Sequence, residues 1–248
     1  MYKDLIIVPG HAAFKANQTQ VPMLPDSDEG WVLQEFQRRE PSFYIEHIRR
    51  GVVLAANNPQ ALLLFSGGLT RPDAGNWTEA ATYLAIAKHY DWWIPSNRAN
   101  LIEQLKRQSQ MEEYARDSFE NFLFSLCHFQ RIAGRYPTSV TVVNWAFKCA
   151  RFEYHRSAIG YPIHGFRFDP CNEPMDISAA YEGEKKTLRD FIDCRYGSHG
   201  ALLEKRLQRD VRRRGHPYRE CPGVSAFFAF MEDPANKTTE FIGDLPWR

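Results

Sequence analysis

An α/β fold built on a mainly parallel sheet is what this chain predicts, and three observations predict it. Leu5-Ile6-Ile7-Val8, Leu62-Leu63-Leu64-Phe65 and Val140-Thr141-Val142-Val143 are short apolar or β-branched runs, the kind buried on both faces inside a parallel sheet. Each ends abruptly, at Pro9-Gly10-His11, Ser66-Gly67-Gly68 and Asn144-Trp145. Segments of helical spacing separate the runs, and that alternation is the pattern of βαβ units. A length of 248 residues suffices for one substantial core, so a single domain over 1–248 is expected.

Leu5 to Val8 is read as the first strand, leaving Gly10 and His11 at the carboxyl edge of the sheet. Residues 15–30 are polar and carry Pro22, Pro25, Asp26, Ser27 and Gly30, so they read as a long loop near that edge, a lid or an insertion. Phe43, Ile45, Ile48, Val52 and Ala55 or Ala56 recur at helical spacing from Ser42 to Asn57, and Asn57-Asn58-Pro59 ends that helix.

After the Leu62 strand, Gly67 and Gly68 would let a ligand approach the backbone, and a helix runs from Thr78 to about Tyr90. Strand, glycine turn and helix present N–H groups, with the Ser66 hydroxyl, to an anion at the sheet edge. The plainer alternative is a tight turn with no ligand. Asp91 to Pro95 reads as a short strand or packed loop, and Asn97 to Gln110 as an exposed helix or loop.

Between Met111 and Gly134 the stripe Phe119, Phe122, Leu123, Leu126 and Phe129 to Ile132 marks a helix. Asp117 or Ser118 would cap it, Glu120 and Asn121 would lie in its first turn, and Gly134 would stop it. Phe147 to Ile159 is the helix after the third strand, with Lys148 and Arg151 near its start. Cations there oppose the helix dipole, so either an anionic ligand compensates them or Arg151 is an ordinary exposed arginine. Ile163 to Phe168 is a further strand, and Ala179 to Cys194 and Ala201 to Arg214 are helices. Cys221 to Arg248 shows no clear period.

A formal charge of +1 gives no global field toward nucleic acid or membrane. The local exception is Lys205, Arg206, Arg209, Arg212, Arg213 and Arg214, a run that is either a solvated face or a nucleic-acid footprint. Five scattered cysteines without CxxC spacing suggest neither a disulfide framework nor a zinc site, and fit a reducing cytosol. No apolar run reaches the length of a signal peptide's apolar region or a membrane span. A soluble, cytoplasmic protein without a membrane partner is therefore expected.

Three segments taken together carry a resemblance: SGG with Thr78-Glu79-Ala80 downstream, EEYARDSFEN from Glu112 to Asn121, and VVNWAFKCAR from Val142 to Arg151. They resemble the domain-of-unknown-function family 218, the YdcF/SanA/ElyC-type proteins, over about residues 4–170. The segment around His47, Gly183-Glu184, and the basic spacing at Lys205 resemble that family's fungal cytosolic branch. The resemblance implies a Rossmann-like three-layer domain with its site at the carboxyl edge, followed by a helical C-terminal extension over about 175–248. It carries the family's motif onto Ser66, Gly67, Gly68, Glu79, Glu113, Asp117, Ser118, Glu120, Asn121 and Arg151. Many members have a histidine just before the final arginine segment, where this chain has Lys148, so that general base does not carry over.

Fungal arginine-containing cyclodipeptide synthases look like this family, which implies a transferase that joins amino acids from aminoacyl-tRNA. Ser66 would accept the acyl group, with Glu79, Glu113 and Glu120 as base or as partners of a cationic substrate. The run from Lys205 to Arg214 would hold tRNA phosphates, and no cofactor is required. The alternative, implied by a bacterial member that binds S-adenosylmethionine, is a nucleotide-like ligand held by Gly10, His11, Gly67, Gly68, Asp117, Ser118, Asn121, Lys148 and Arg151. A third reading is metal-assisted hydrolysis by Glu79, Glu113, Asp117 and Glu120 with His11, though no HxxE or paired-histidine motif supports a metal site.

Overall fold

The computed structural model describes residues 1–236 and 239–248. In chain order its elements are β1 (Asp4–Pro9), β2 (Ala13–Phe14), β3 (Trp31–Val32), α1 (Pro41–Ala56), β4 (Ala61–Ser66), α2 (Glu79–His89), α3 (Ala99–Gln108), β5 (Ser109–Glu112), α4 (Ser118–Ala133), β6 (Ser139–Asn144), α5 (Cys149–Ala158), β7 (Phe166–Pro170), α6 (Ile177–Asp193), α7 (Gly200–Arg209) and α8 (Ser225–Glu232). Five strands form one all-parallel sheet in the order β5-β4-β1-β6-β7, and β2 pairs with β3 in a separate two-stranded ribbon.

The expected Rossmann-like α/β fold is present, and its three layers follow from side-chain alternation along the strands. Leu5, Ile7, Leu62, Leu64, Val140 and Val142 face the cluster built with α4 and α5. Ile6, Val8, Leu63 and Phe65 face the cluster built with α1, α2 and Leu105 of α3. The C-terminal helices join the first cluster through Phe191, Leu202, Phe227 and Phe228, and Trp247 closes it. Burial on both faces is why Leu5 to Val8, Ala61 to Phe65 and Val140 to Val143 are apolar or β-branched runs.

Two element starts rest on visible capping. Thr78 accepts the Ala81 N–H at 3.0 Å to open α2, and Asp117 rather than Ser118 accepts the Glu120 N–H, at 2.9 Å, to open α4. Gly134 ends α4 with φ 71°, a left-handed turn that glycine adopts without a Cβ penalty.

Five segments differ from the expectations, the first being Ile163 to Phe168, where a 3₁₀ turn over Ile163–Gly165 precedes a strand that begins only at Phe166. Ser109–Glu112 is an edge strand, not part of a helix or loop before Met111; with only four residues and no apolar run it carried no periodic signal. Asp91 to Trp93 is a 3₁₀ turn. The helix read as Ala201 to Arg214 stops at Arg209, because the Asp210 carboxylate accepts the N–H groups of Arg214 and Gly215 and turns the chain. Ser225–Glu232 is a helix where no period was read, since Phe227, Phe228 and Phe230 are nearly consecutive. Among the described residues, no helix is long and apolar enough to cross a membrane.

Candidate functional site

β1 and β6 are neighbours at the centre of the sheet, and their following helices, α1 and α5, lie on opposite faces. A crevice opens beyond the carboxyl ends of two such strands, the usual ligand position in this class of sheet. Here it is a chamber of about 160 Å³ bordered by Gly10, His11, Arg71, Glu79, Asp117, Ser118, Asn121, Asn144, Lys148, Arg151, Lys205 and Arg209. His11, Phe36, Lys148, Arg151, Thr187 and Lys205 also border an outer chamber of about 680 Å³, whose walls include Phe147, Met175, Ala179 and Gly183.

The inner chamber is strongly cationic. Arg71, Lys148, Lys205 and Arg209 border it, and none of them makes an ion pair among the described residues. Arg151 is paired with Glu184 of α6 at 2.8 Å, while its Nε has no partner. The facing carboxylates are Glu79, whose Oε1 accepts the Thr70 hydroxyl at 2.6 Å and whose pKa burial raises, and Asp117, which is bound to Arg206. The cations outnumber the available carboxylates, and the start of α5 adds its positive dipole end to them.

Lys148 stands at the N-cap position of α5 without a capping hydrogen bond, and its Nζ lies 3.4 Å from His11 Nδ1. Burial, reinforced by Arg151, brings its amine down to about 7. Burial, then Lys148, His47 and Arg151, hold His11 well below its ordinary value, so its imidazole is neutral, and its Nε2 has no partner. The unfolded amine titrates near about 10.4, so the cost of burying a charged Lys148 is present below pH 7 and relieved as pH rises toward 10. An anion in the chamber reverses that preference. Binding a phosphate-bearing ligand at pH 8 should therefore take up a proton, approaching one in the wild type and close to none in Lys148→Met. Calorimetry in two buffers of different ionisation heat reads this directly, and no uptake in the wild type would place Lys148 out of the ligand's reach.

The structure brings Gly10, His11, Glu79, Asp117, Ser118, Asn121, Lys148 and Arg151 together at this chamber. It does not bring Ser66 there. Ser66 is fully buried, with Oγ 2.8 Å from Glu112 Oε2 and 2.9 Å from Asn121 Oδ1. One hydroxyl proton cannot serve two acceptors. The second comes either from Glu112, held up to about 7 by burial, or from Asn121 with its amide turned. Either way the hydroxyl is consumed inside the sheet, which corrects its expected place at the open edge.

The glycine turn is occupied as well. Gly67 N–H donates to Glu112 O at 2.9 Å and Gly68 N–H to Ala115 O at 2.7 Å, so neither amide is free for an oxyanion. A Cβ on Gly67 would come 2.6 Å from Glu79 Oε2, and one on Gly68 2.9 Å from Ala115 O; the glycines serve close packing around β5 and α2. Ser66→Ala should accordingly cost about 1–3 kcal/mol of stability by leaving a buried acceptor unpaired, with ligand affinity at the chamber unchanged. Urea melts beside binding isotherms test this, and unchanged stability with lost turnover would restore the nucleophile reading.

Glu113 accepts the Thr78 hydroxyl at 2.8 Å and borders a separate shallow hollow with Tyr114 and His128. Glu120 is buried against Arg116 at 2.6 Å, with Arg206 3.6 Å away. The four carboxylates of the metal reading do not converge, and among the described residues no cluster of His, Cys, Asp or Glu could hold a metal ion. The basic run also divides. Arg206 lies inside the protein on Asp117, Lys205 and Arg209 border the chamber, and Arg212 and Arg214 bind the carbonyls of Gly75 and Glu113. Arg206 is therefore corrected from nucleic-acid contact to structural ion pair, because its side chain is only 6% exposed.

The sequence reading missed Arg71, Asn144 and the aromatic Phe36 at the chamber. Arg71 had a usable signal, a cation just past the glycine turn; Phe36 and Asn144 had none, being polar-loop and strand-end positions. A protein of Saccharomyces cerevisiae, the uncharacterized protein YOR238W, is 26% identical to this chain over 264 aligned positions, covering 87% of this chain and 86% of its own length. No family model matches the chain, and no solved structure matches it.

Proposed function

We propose that this protein binds a nucleotide-like, phosphate-bearing small molecule at the switch-point chamber and acts on it as a transferase. The observation that supports this most is the convergence of Arg71, Lys148, Arg151, Lys205 and Arg209 on one small cavity with few free carboxylates. All but Arg151, which Glu184 pairs, lack an ion-pair partner among the described residues; cations held this close repel one another, and an anion removes that cost. The outer chamber, with Phe36, Phe147 and Met175, has the room and apolar lining for the uncharged part of such a ligand. The resemblance to family 218 fits the same place, since its motif residues Glu79, Asp117, Ser118, Asn121 and Arg151 border the inner chamber.

Isothermal titration with ATP, ADP, AMP, adenosine and S-adenosylmethionine tests the reading. Affinity should rise with the number of phosphates and fall with added salt. Equal binding of adenosine or S-adenosylmethionine would refute the phosphate reading. Aminoacyl transfer from charged tRNA remains a second reading on one observation: Lys205 and Arg209 border the chamber while Arg212, Arg213 and Arg214 follow directly along the chain. It requires a nucleophile other than Ser66. A new cyclic dipeptide in extracts of bacteria expressing the chain, retained in Ser66→Ala, would favour it.

A further inference from the structure

Ser118 and His155 form a hydroxyl–imidazole pair that fold and ligand binding leave unexplained. Ser118 is the first residue of α4, half-buried, and borders the inner chamber. Its Oγ lies 2.8 Å from Nε2 of His155. His155 sits on α5 one helical turn after Arg151 and is wholly buried, with Phe119, Phe152 and Phe191 around its ring at centroid distances of 5.6, 5.8 and 4.5 Å. Its Nδ1 has no partner, so Ser118 is the ring's one side-chain hydrogen bond among the described residues. An apolar residue would fill such an aromatic pocket without stranding a polar atom, so an imidazole there calls for a reason beyond packing.

We propose that Ser118 is the nucleophile of a phosphoryl-transfer reaction in the inner chamber, with His155 as its base. The proposal rests on the phosphate reading above. In the first step a bond forms between Ser118 Oγ and phosphorus while the bond from phosphorus to the leaving oxygen breaks. The hydroxyl proton passes to His155 Nε2, and the leaving phosphate oxygen departs on the opposite side of phosphorus as an anion among the chamber's cations. In the second step water or an acceptor alcohol attacks the phosphoserine from the chamber side and gives up its proton to the phosphate oxygens, while Ser118 Oγ leaves and takes back the proton held by His155 Nε2.

The surroundings suit each part. Burial, with Arg151 and Arg206, holds the imidazole well below its ordinary value against the opposing pull of Asp117, so it is neutral at neutral pH, and in the tautomer with the proton on Nδ1 its Nε2 lone pair faces the Ser118 hydroxyl. Arg151 and Lys148 border the same chamber and supply charge for the non-bridging oxygens. Nε of Arg151 and Nε2 of His11 are buried there without a partner, which independently marks a place for a polar ligand. A serine is activated by an adjacent base within hydrogen-bond reach, and Ser118 has one while bordering the chamber, whereas Ser66, bonded to Glu112, does not border it.

A fluorophosphonate probe tests the pair on the full chain, because it phosphonylates an activated serine with loss of fluoride. Peptide mass mapping should place the label on Ser118, and Ser118→Ala should abolish it. His155→Gln should slow labelling by about a hundredfold. Ser66→Ala should label at the wild-type rate, and ATP should slow labelling of the wild type. Thermal melts on each variant confirm that it is folded. No label on Ser118 of the folded protein, or an unchanged rate in His155→Gln, overturns the proposal. Labelling that ATP does not slow while ATP binds elsewhere overturns the phosphoryl assignment alone. Absence of ATP binding in calorimetry, with Ser118 labelled, removes the phosphate reading and leaves an activated serine.

Discussion

Arg206→Ala should lower stability by about 3–5 kcal/mol, the usual cost of removing one partner from a buried ion pair. The guanidinium contacts Asp117 Oδ2 at 2.5 Å and the Tyr196 carbonyl at 2.7 Å, and lies over the Phe119 ring at 5.7 Å. It thereby ties α7 to the first turn of α4, where the chamber begins. Burial pushes the Asp117 carboxyl up, but Arg206 and the Glu120 N–H bring it below its ordinary value. A depressed carboxylate contributes stability above its unfolded pKa of about 3.9 and loses it as pH falls through the folded value. The gap between wild type and Arg206→Ala should therefore be full at pH 7 and shrink in acid. Thermal melts should show a loss on the order of 10 °C at neutral pH for a chain of this size. Arg206→Lys should recover only part of it, because an ammonium cannot reach both the carboxylate and the carbonyl as the planar fork does. Arg213→Ala, at an exposed position in the same basic run, should stay within about 0.5 kcal/mol. Equal effects at the two positions would mean that Arg206 is not the internal anchor described here.

The central sheet was legible because burial on both faces makes the middle of β1, β4 and β6 an apolar or β-branched run, a signal that needs no partner to interpret. β5 was not, since an edge strand of four residues with outward polar positions has neither an apolar run nor a period. That omission and the misreading of Ser66 have one cause. Ser66 is in register with Glu112 on β5, so a hydroxyl that ends one strand finds its partner on a strand the pattern did not reveal. The cations at the start of α5 were readable from a conflict within the helix itself, Lys148 and Arg151 against the positive end of the dipole. Arg206 was hidden among exposed neighbours. Its position four residues after the buried Leu202 places it on the inner face of α7, and that helical spacing was the one sign of its burial. Glu184 could be associated with Arg151 only through the fold, which brings α6 across the mouth of the cleft.

The pairing of Arg151 with Glu184 makes the largest binding prediction one of opposite signs at the two residues. Charge-assisted hydrogen bonds from a guanidinium contribute about 1.5–3 kcal/mol, so Arg151→Ala should weaken a phosphate-bearing ligand roughly ten- to hundredfold. The single variant also strands Glu184, whose side chain is 8% exposed, so the comparison is made in the Glu184→Gln background, where no unpaired charge is left. Glu184→Gln alone should bind the ligand more tightly, by up to about tenfold. Its carboxylate occupies the Arg151 fork in the free protein and repels an incoming anion, so the ligand must compete with it. If Glu184 instead served to hold Arg151 in a ligand-ready rotamer, the same variant would bind more weakly. Isotherms for ADP on the wild type, Glu184→Gln and the double variant separate the two roles. An affinity that does not respond to Arg151 would remove this chamber as the phosphate site, whatever the other cations do.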